Sequence, residues 1–318
     1  MPDQNTWKFV EEPLQALEQN EYRIQNEFIS LDPAMRGWIE DRKSYIEPVK
    51  VGNVMRAATI GRVIESKNDT FKKGDWVVSF RGVQSYAVSD GKGDVNLGQE
   101  LVFPPEKYLS VLGLTGYTAY FGLLDVGKPA EGECLVVSAA AGAVGSIVGQ
   151  IGKILGLKVV GIAGGQAKCQ YLLDKFNFDH AVDYKSDHFA KEFIDATSDG
   201  VDLYFDNVGG EMLDFVLTRL NKKARVVICG AISQYNSKGR IYGPSNYLSL
   251  LVNRARMEGF VILDYQNRFL EAAMQLSQWI ASGKLQSEEH ILNGIENFPE
   301  AFTRLFTGDK RGKLMIKV

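Results

Sequence analysis

Histidine and cysteine are scarce, three of each among 318 residues. His180, His188 and His290 lie far apart with no metal-ligand spacing, and Cys134, Cys169 and Cys229 are scattered without pairing. An odd, unpaired set excludes a disulfide framework and makes the reducing cytoplasm the expected compartment. Each cysteine reads as a small buried hydrophobe, because no local cysteine motif accompanies it. Long apolar runs are missing as well: nowhere do about 18 apolar residues follow one another. Met1–Val10 has no cationic stretch leading into an apolar core, so neither a membrane span nor a secretory leader is expected. Neither sign of charge dominates, with 36 Lys and Arg against 39 Asp and Glu for a net charge of −3. These charges are interspersed, so no basic stripe exists to hold a phosphate backbone and nucleic acid is not the expected partner.

What remains is ordinary globular text, 45% hydrophobic and 24% charged, long enough for two domains. From Phe9 to about Val111 it is glycine-punctuated and β-leaning, in Tyr22–Ser30, Ala57–Glu65, Trp76–Phe80 and Ser85–Val88. Short strands at this spacing predict a partly open barrel or a sandwich. Leu109–Leu124 reads as a helical connection, after which strands and helices alternate. Strands are predicted at Cys134–Ser138, Lys158–Ala163, Ala181–Asp183, Val201–Phe205, Ala224–Cys229 and Gly259–Leu263, with helices between the earlier ones. Several are near-continuous apolar runs, as a parallel sheet covered on both faces requires. The fold class is α/β, with a doubly wound parallel sheet; Phe269–Gly283 reads as an amphipathic helix and Gly312–Val318 as a closing strand.

Directly after the first parallel strand comes Ser138-Ala-Ala-Ala-Gly142-Ala-Val-Gly145-Ser146, opening an apolar-periodic helix. Glycines in this context let backbone N–H groups approach a pyrophosphate at the helix N-terminus. The first glycine of the usual three is replaced by Ala140. The second strand ends Ala163-Gly164-Gly165-Gln166-Ala167-Lys168, without the acid that would hold a free adenine ribose. Losing that carboxylate removes repulsion and Lys168 offers a charge to a 2′-phosphate, so NADP(H) is expected rather than NAD(H).

Six stretches carry a family resemblance: Ser30-Leu-Asp-Pro-Ala-Met-Arg-Gly37, Leu114–Leu124, Val137–Ser146, Tyr204-Phe-Asp-Asn-Val-Gly-Gly210, Cys229–Asn236 and Glu258–Tyr265. Together they resemble the zinc-independent medium-chain dehydrogenase/reductases, in the leukotriene B4 dehydrogenase, prostaglandin reductase and alkenal double-bond reductase group, with the bacterial curcumin-reductase-like members nearest. The resemblance implies a GroES-like substrate domain over 1–112, a Rossmann-type NADP(H) domain over 113–266 and a returning segment over 267–318, with a substrate cleft and a homodimer. It assigns cofactor contacts to Gly142, Val144, Gly145, Gly164, Lys168, Tyr184, Asn207, Cys229, Ile232, Ser233 and Tyr235, with Phe260 and Ile262 near the nicotinamide. Three departures stand out. Where zinc-dependent relatives carry Gly-His-Glu, this chain has Ile60-Gly61-Arg62-Val63, so no metal site is expected. The text at Trp7–Leu14 normally follows a first strand that is not seen here. The family's closing asparagine is Lys310, which puts charge in place of that contact.

The chemistry implied is hydride transfer from NADPH to the β-carbon of an α,β-unsaturated ketone or aldehyde, an oxidoreduction of a CH–CH group. Charge developing on the carbonyl oxygen needs a hydrogen-bond donor, and a tyrosine phenol supplies one without metal. Tyr265 corresponds to the family's substrate-side tyrosine and Tyr45 to a second one in the first domain. Arg36 reads as a structural clamp, and Tyr242, Asn246 and Tyr247 as lining the cleft or a dimer seam. NADPH:quinone reduction and a non-catalytic NADPH sensor stay open as alternatives.

Overall fold

A computed structural model describes the chain apart from Met1, Asp3, Lys238, Arg240, Tyr242, Asp309 and the Gln4 side chain. The chain divides into two compact units, one of Met1–Ser110 with Glu289–Val318 and one of Val111–Glu288.

The first unit is built on β1 (Tyr22–Ser30), β2 (Thr59–Ser66), β3 (Trp76–Ser79), β4 (Tyr86–Ser89) and β5 (Val95–Gly98), joined by β12 (Glu289–Asn293) and β13 (Lys313–Lys317). They form one seven-stranded sheet in the order β12-β13-β1-β2-β3-β5, with β4 also on β1. All pairs are antiparallel except β12 with β13. This sheet is the partly open β structure that the turn-punctuated text predicts. The one-turn helix α1 (Met35–Trp38) and α9 (Phe298–Thr307) close its core, where Met35, Phe298, Phe302 and Leu305 pack on Ile29, Leu314 and Ile316. Within α1, Arg36 pairs with Glu40 one turn on at 2.6 Å, the clamp its position suggests.

The second unit holds a parallel six-stranded sheet of β6 (Cys134–Val137), β7 (Lys158–Ala163), β8 (His180–Asp183), β9 (Val201–Asp206), β10 (Leu220–Ile228) and β11 (Arg256–Gly259). The order β11-β10-β9-β6-β7-β8 places the first strand beside the fourth, so the chain reverses direction across the sheet between β6 and β9. Helices α2 (Leu114–Phe121), α3 (Ala143–Ile154), α4 (Gln166–Phe176), α5 (Phe189–Ala196), α6 (Gly210–Leu217), α7 (Leu248–Asn253) and α8 (Phe269–Ala281) belong to the same unit. The central strands read as apolar runs because Leu135, Val136, Val137, Leu203, Tyr204 and Phe205 are sealed from solvent, as strands covered on both faces must be.

Of the boundaries that differ from the sequence reading, two bear on the site. Residues 267–288 cluster with the second unit, because α8 packs on α2: Phe269 lies 4.9 Å from the Tyr117 ring and Ala272 and Leu276 are buried. The strand predicted at Gly259–Leu263 is β11, shifted back to Arg256–Gly259. All four β11 residues are exposed, so no apolar run marks this edge strand. The apolar run after it leaves the sheet, and Ile262–Arg268 winds as a 3₁₀ helix.

Candidate active site at the sheet switch point

Open α/β sheets bind ligands beyond the carboxyl ends of their strands, where strand order reverses. In this sheet that point lies after β6 and β9, and one buried acid organises it. The Asp206 carboxylate accepts hydrogen bonds from Ser138 Oγ at 2.9 Å, from Tyr204 Oη at 2.7 Å and from the Val208 and Gly209 amides, both at 3.0 Å. Asn207 is fixed in turn, its N–H donating to Ser138 Oγ at 2.9 Å and its Nδ2 to the Ser138 carbonyl at 2.8 Å. Burial, then the neighbouring Asp206 charge, pushes the Tyr204 phenol far up, so it remains a donor to that carboxylate.

Gly142 and Gly145 sit where β6 passes into α3. Gly142 is the residue before the helix, whose N-terminus no side chain caps. A Cβ on Gly145 would stand 2.5 Å from the Ala139 carbonyl oxygen and 2.9 Å from Ala140 Cα, so only glycine lets the first turn of α3 lie against the loop. Val144 lies in that same turn. Free first-turn amides aimed past a glycine loop suit a pyrophosphate, and the residues present therefore fit a dinucleotide.

The end of β7 is built for a turn rather than for a ribose carboxylate. Gly165 has φ 97° and donates to Asp183 Oδ1 at 2.7 Å, which also takes the Lys185 N–H at 2.9 Å. Lys168 follows in the first turn of α4, and the Tyr184 ring lies against Gly164, 2.8 Å from where a Cβ would be. Beyond β10, the turn through Cys229, Ile232, Ser233 and Tyr235 folds back on the Asn207 loop. Ile232 N–H donates to the Asn207 carbonyl at 3.2 Å, Ser233 Oγ to the Val208 carbonyl at 2.6 Å, and the Tyr235 hydroxyl accepts from the Ala231 N–H at 3.2 Å. Burial pushes the Cys229 thiol up to about 12, and Cys134 and Cys169 up to about 11. Cys134 and Cys169 are buried, as their reading as small hydrophobes requires, whereas Cys229 is half-buried.

An aromatic cluster completes this face. Phe260 meets Phe205 edge to face at 6.5 Å and Tyr265 at 6.4 Å, while Tyr265 stacks on the buried Phe121 ring at 4.6 Å and 21°. Ile262 and Tyr265 lie on the 3₁₀ segment after β11. Burial first, and Asp125 next, raise the Tyr265 phenol above its ordinary value against the pull of Arg268. Among the described residues nothing takes a hydrogen bond from the Tyr265 hydroxyl.

The structure thus gathers the thirteen cofactor candidates and Tyr265 into the second unit. Tyr45 belongs to the first, where its exposed hydroxyl accepts the Trp38 indole N–H at 3.1 Å. Lys310 also lies in the first unit, close enough to help lower the Asp32 carboxyl. Asn246 holds Asp214 through its N–H at 2.7 Å, Tyr247 is exposed, and Tyr242 lies outside the described residues. Sequence reasoning missed Asp206 and Ser138; an acid ending a buried apolar strand is the signal that marks Asp206.

Two family models match, an N-terminal domain of oxidoreductase over residues 1–97 and a zinc-binding dehydrogenase over residues 143–279. NADPH-dependent curcumin reductase of Escherichia coli is 40% identical, covering 100% of this chain and 93% of that protein. The chain belongs to the medium-chain dehydrogenase/reductase superfamily. Within this superfamily it falls among the NADP-dependent reductases. Mouse prostaglandin reductase 1 is 39% identical, over 99% of this chain and 95% of the relative. The crystal structure of CurA from Vibrio vulnificus in complex with NADPH superposes with a TM-score of 0.95 at 42% identity, covering 100% of this chain and 95% of that one.

Zinc, which one family description names, does not fit this member. Arg62, at the place of the catalytic histidine motif, lies over the Trp76 ring at 4.2 Å and donates to the Gly74 carbonyl at 3.1 Å. Among the described residues no group of three or more His, Cys, Asp or Glu side chains could hold a metal ion.

Proposed function

We propose that the protein is an NADPH-dependent reductase of the carbon–carbon double bond of α,β-unsaturated ketones and aldehydes. The observation that carries the reading is Tyr265, whose ring is held between Phe121 and Phe260 while its hydroxyl is left uncommitted among the described residues. NADPH, when bound, supplies a hydride. The backbone at Gly142, Val144 and Gly145 would hold its pyrophosphate, Lys168 would meet the 2′-phosphate with Gly164 and Tyr184 beside it, and Asn207, Cys229, Ile232, Ser233 and Tyr235 would line the remainder. Phe260 and Ile262 would border the nicotinamide. As the β-carbon accepts the hydride, the π pair of the double bond moves to the carbonyl oxygen, where Tyr265 donates its O–H and stabilises the enolate. A proton then adds to the α-carbon, giving the saturated carbonyl. The family's second tyrosine corresponds to Tyr45 in the first unit, where accepting the Trp38 N–H leaves its own hydroxyl proton free to donate.

The curcumin and prostaglandin reductase names of relatives near 40% identity support this class of substrate. A cytoplasmic location goes with it, supported by three unpaired cysteines. So does a homodimer, supported by the open edge of β11, where a two-fold antiparallel pairing about Met257 would set Arg256 of one copy opposite Glu258 of the other. Sedimentation of the purified protein checks the dimer. Product analysis tests the reaction: an enone should give the saturated ketone with one equivalent of NADPH consumed, and recovery of unchanged enone would defeat the reading.

A further inference from the structure

Arg268 follows Tyr265 by three residues on the 3₁₀ segment, a spacing that stacks side chains on one face of such a helix. Its guanidinium lies 4.9 Å from the centre of the Phe121 ring and 6.0 Å from that of Tyr265. Its donors are divided between two carboxylates from different elements. Nε donates to Glu271 Oε2 at 2.8 Å and Nη2 to Glu271 Oε1 at 2.9 Å, while Nη1 pairs with Asp125 and Nη2 reaches the other Asp125 oxygen at 3.3 Å. Glu271 also accepts from the Tyr120 hydroxyl at 3.3 Å. The cation therefore ties the segment after β11 to the turn following α2 and to the first turn of α8.

We infer that Arg268 is a positioning residue for the reduction, holding the Tyr265 ring against Phe121 with a guanidinium bonded to carboxylates on two other elements. This rests on the role of Tyr265 proposed above. The contacts with Phe121 and Phe260 hold the Tyr265 ring within the range of offsets that aromatic pairs adopt, and a planar fork bonded on both sides narrows that range. The charged groups acting on the Tyr265 phenol are Asp125, Glu258 and Asp264, which raise its pKa, and Arg268, which lowers it. Glu271 acts through Arg268. Lysine could keep the charge over the rings but not bridge both carboxylates.

The test uses the full protein with Arg268→Met and Arg268→Lys, each alone and combined with Tyr265→Phe. Arg268→Met should lower kcat about tenfold with NADPH affinity unchanged, and should add nothing to Tyr265→Phe, since coupled residues are non-additive. Arg268→Lys should recover part of the loss. Independently of turnover and without cofactor, fluorine NMR of 3-fluorotyrosine-labelled protein, with Tyr265 assigned by its loss in Tyr265→Phe, should show the phenol titrating at higher pH in Arg268→Met than in Arg268→Lys. Equal losses in both backgrounds, or a titration that does not move, would overturn the inference. If Tyr265→Phe itself leaves turnover intact, the enone reading fails while the fluorine titration still decides whether Arg268 governs the Tyr265 environment.

Discussion

In the proposed reading cofactor choice turns on Lys168 and the chemistry on Tyr265, and each predicts a separable effect. Replacing Lys168 by alanine should weaken NADPH binding about tenfold, the scale of one charge-assisted hydrogen bond, and leave NADH binding unchanged. Cofactor fluorescence titrations with both nucleotides check this. For Tyr265 the raised phenol predicts the pH profile: the donor stays protonated through neutral and mildly alkaline pH, so turnover should lose it only above the ordinary tyrosine value of about 10. Both residues were legible in the chain, Lys168 from the missing acid after a strand and Tyr265 through the family motif. Arg268 and Asp206 were not. Their roles arise where separate elements meet, Asp125 lying 143 residues from Arg268 and Ser138 lying 68 from Asp206, and no local pattern encodes such a meeting.

Among the elements, the β6–α3 junction carries the geometry on which the cofactor reading depends. A valine at position 145 must displace the Ala139 carbonyl, which a Cβ would approach to 2.5 Å. Gly145→Val should abolish measurable NADPH binding by calorimetry while the first unit retains its structure by NMR; binding within about threefold of wild type would show that the cradle is placed elsewhere. The apolar Lys158–Ala163 and the β-leaning, mixed-polarity Tyr22–Ser30 are both legible to the residue. Elements without such a pattern are not. The exposed β11 carries no apolar signal, and the apolar residues behind it have a strand-like pattern although they turn away as 3₁₀ helix. β12 escaped because it mixes polar and apolar residues without alternation, whereas Pro299 in the first turn of α9 is a helix-start signal that the chain does carry.

On the scale of the whole molecule, the chain leaves its first unit at Ser110 and returns at Glu289, so closing that unit depends on β13, near the far end of the sequence. Lys313 of β13 is buried and pairs with Asp32, which also accepts from Ser30 Oγ at 2.6 Å. Burial alone raises the Asp32 carboxyl, but Lys313, Ser30 and Lys310 together outweigh it and the net shift is downward. A carboxylate with a lowered folded pKa contributes stability that is complete above its unfolded value of about 3.9 and is lost as pH falls through the folded one. The first unit should therefore lose stability below about pH 4, and Asp32→Asn should flatten that dependence in acid-unfolding curves followed by circular dichroism.

The most direct trial of the central claim follows NADPH oxidation with a small panel of enones, wild type beside Tyr265→Phe, with NADH as the cofactor control. Enone-dependent turnover that prefers NADPH and falls about ten- to a thousandfold in the variant is the predicted result, the range expected for removing one donor to a developing oxyanion. Tight NADPH binding with no enone consumed by the wild type would contradict it.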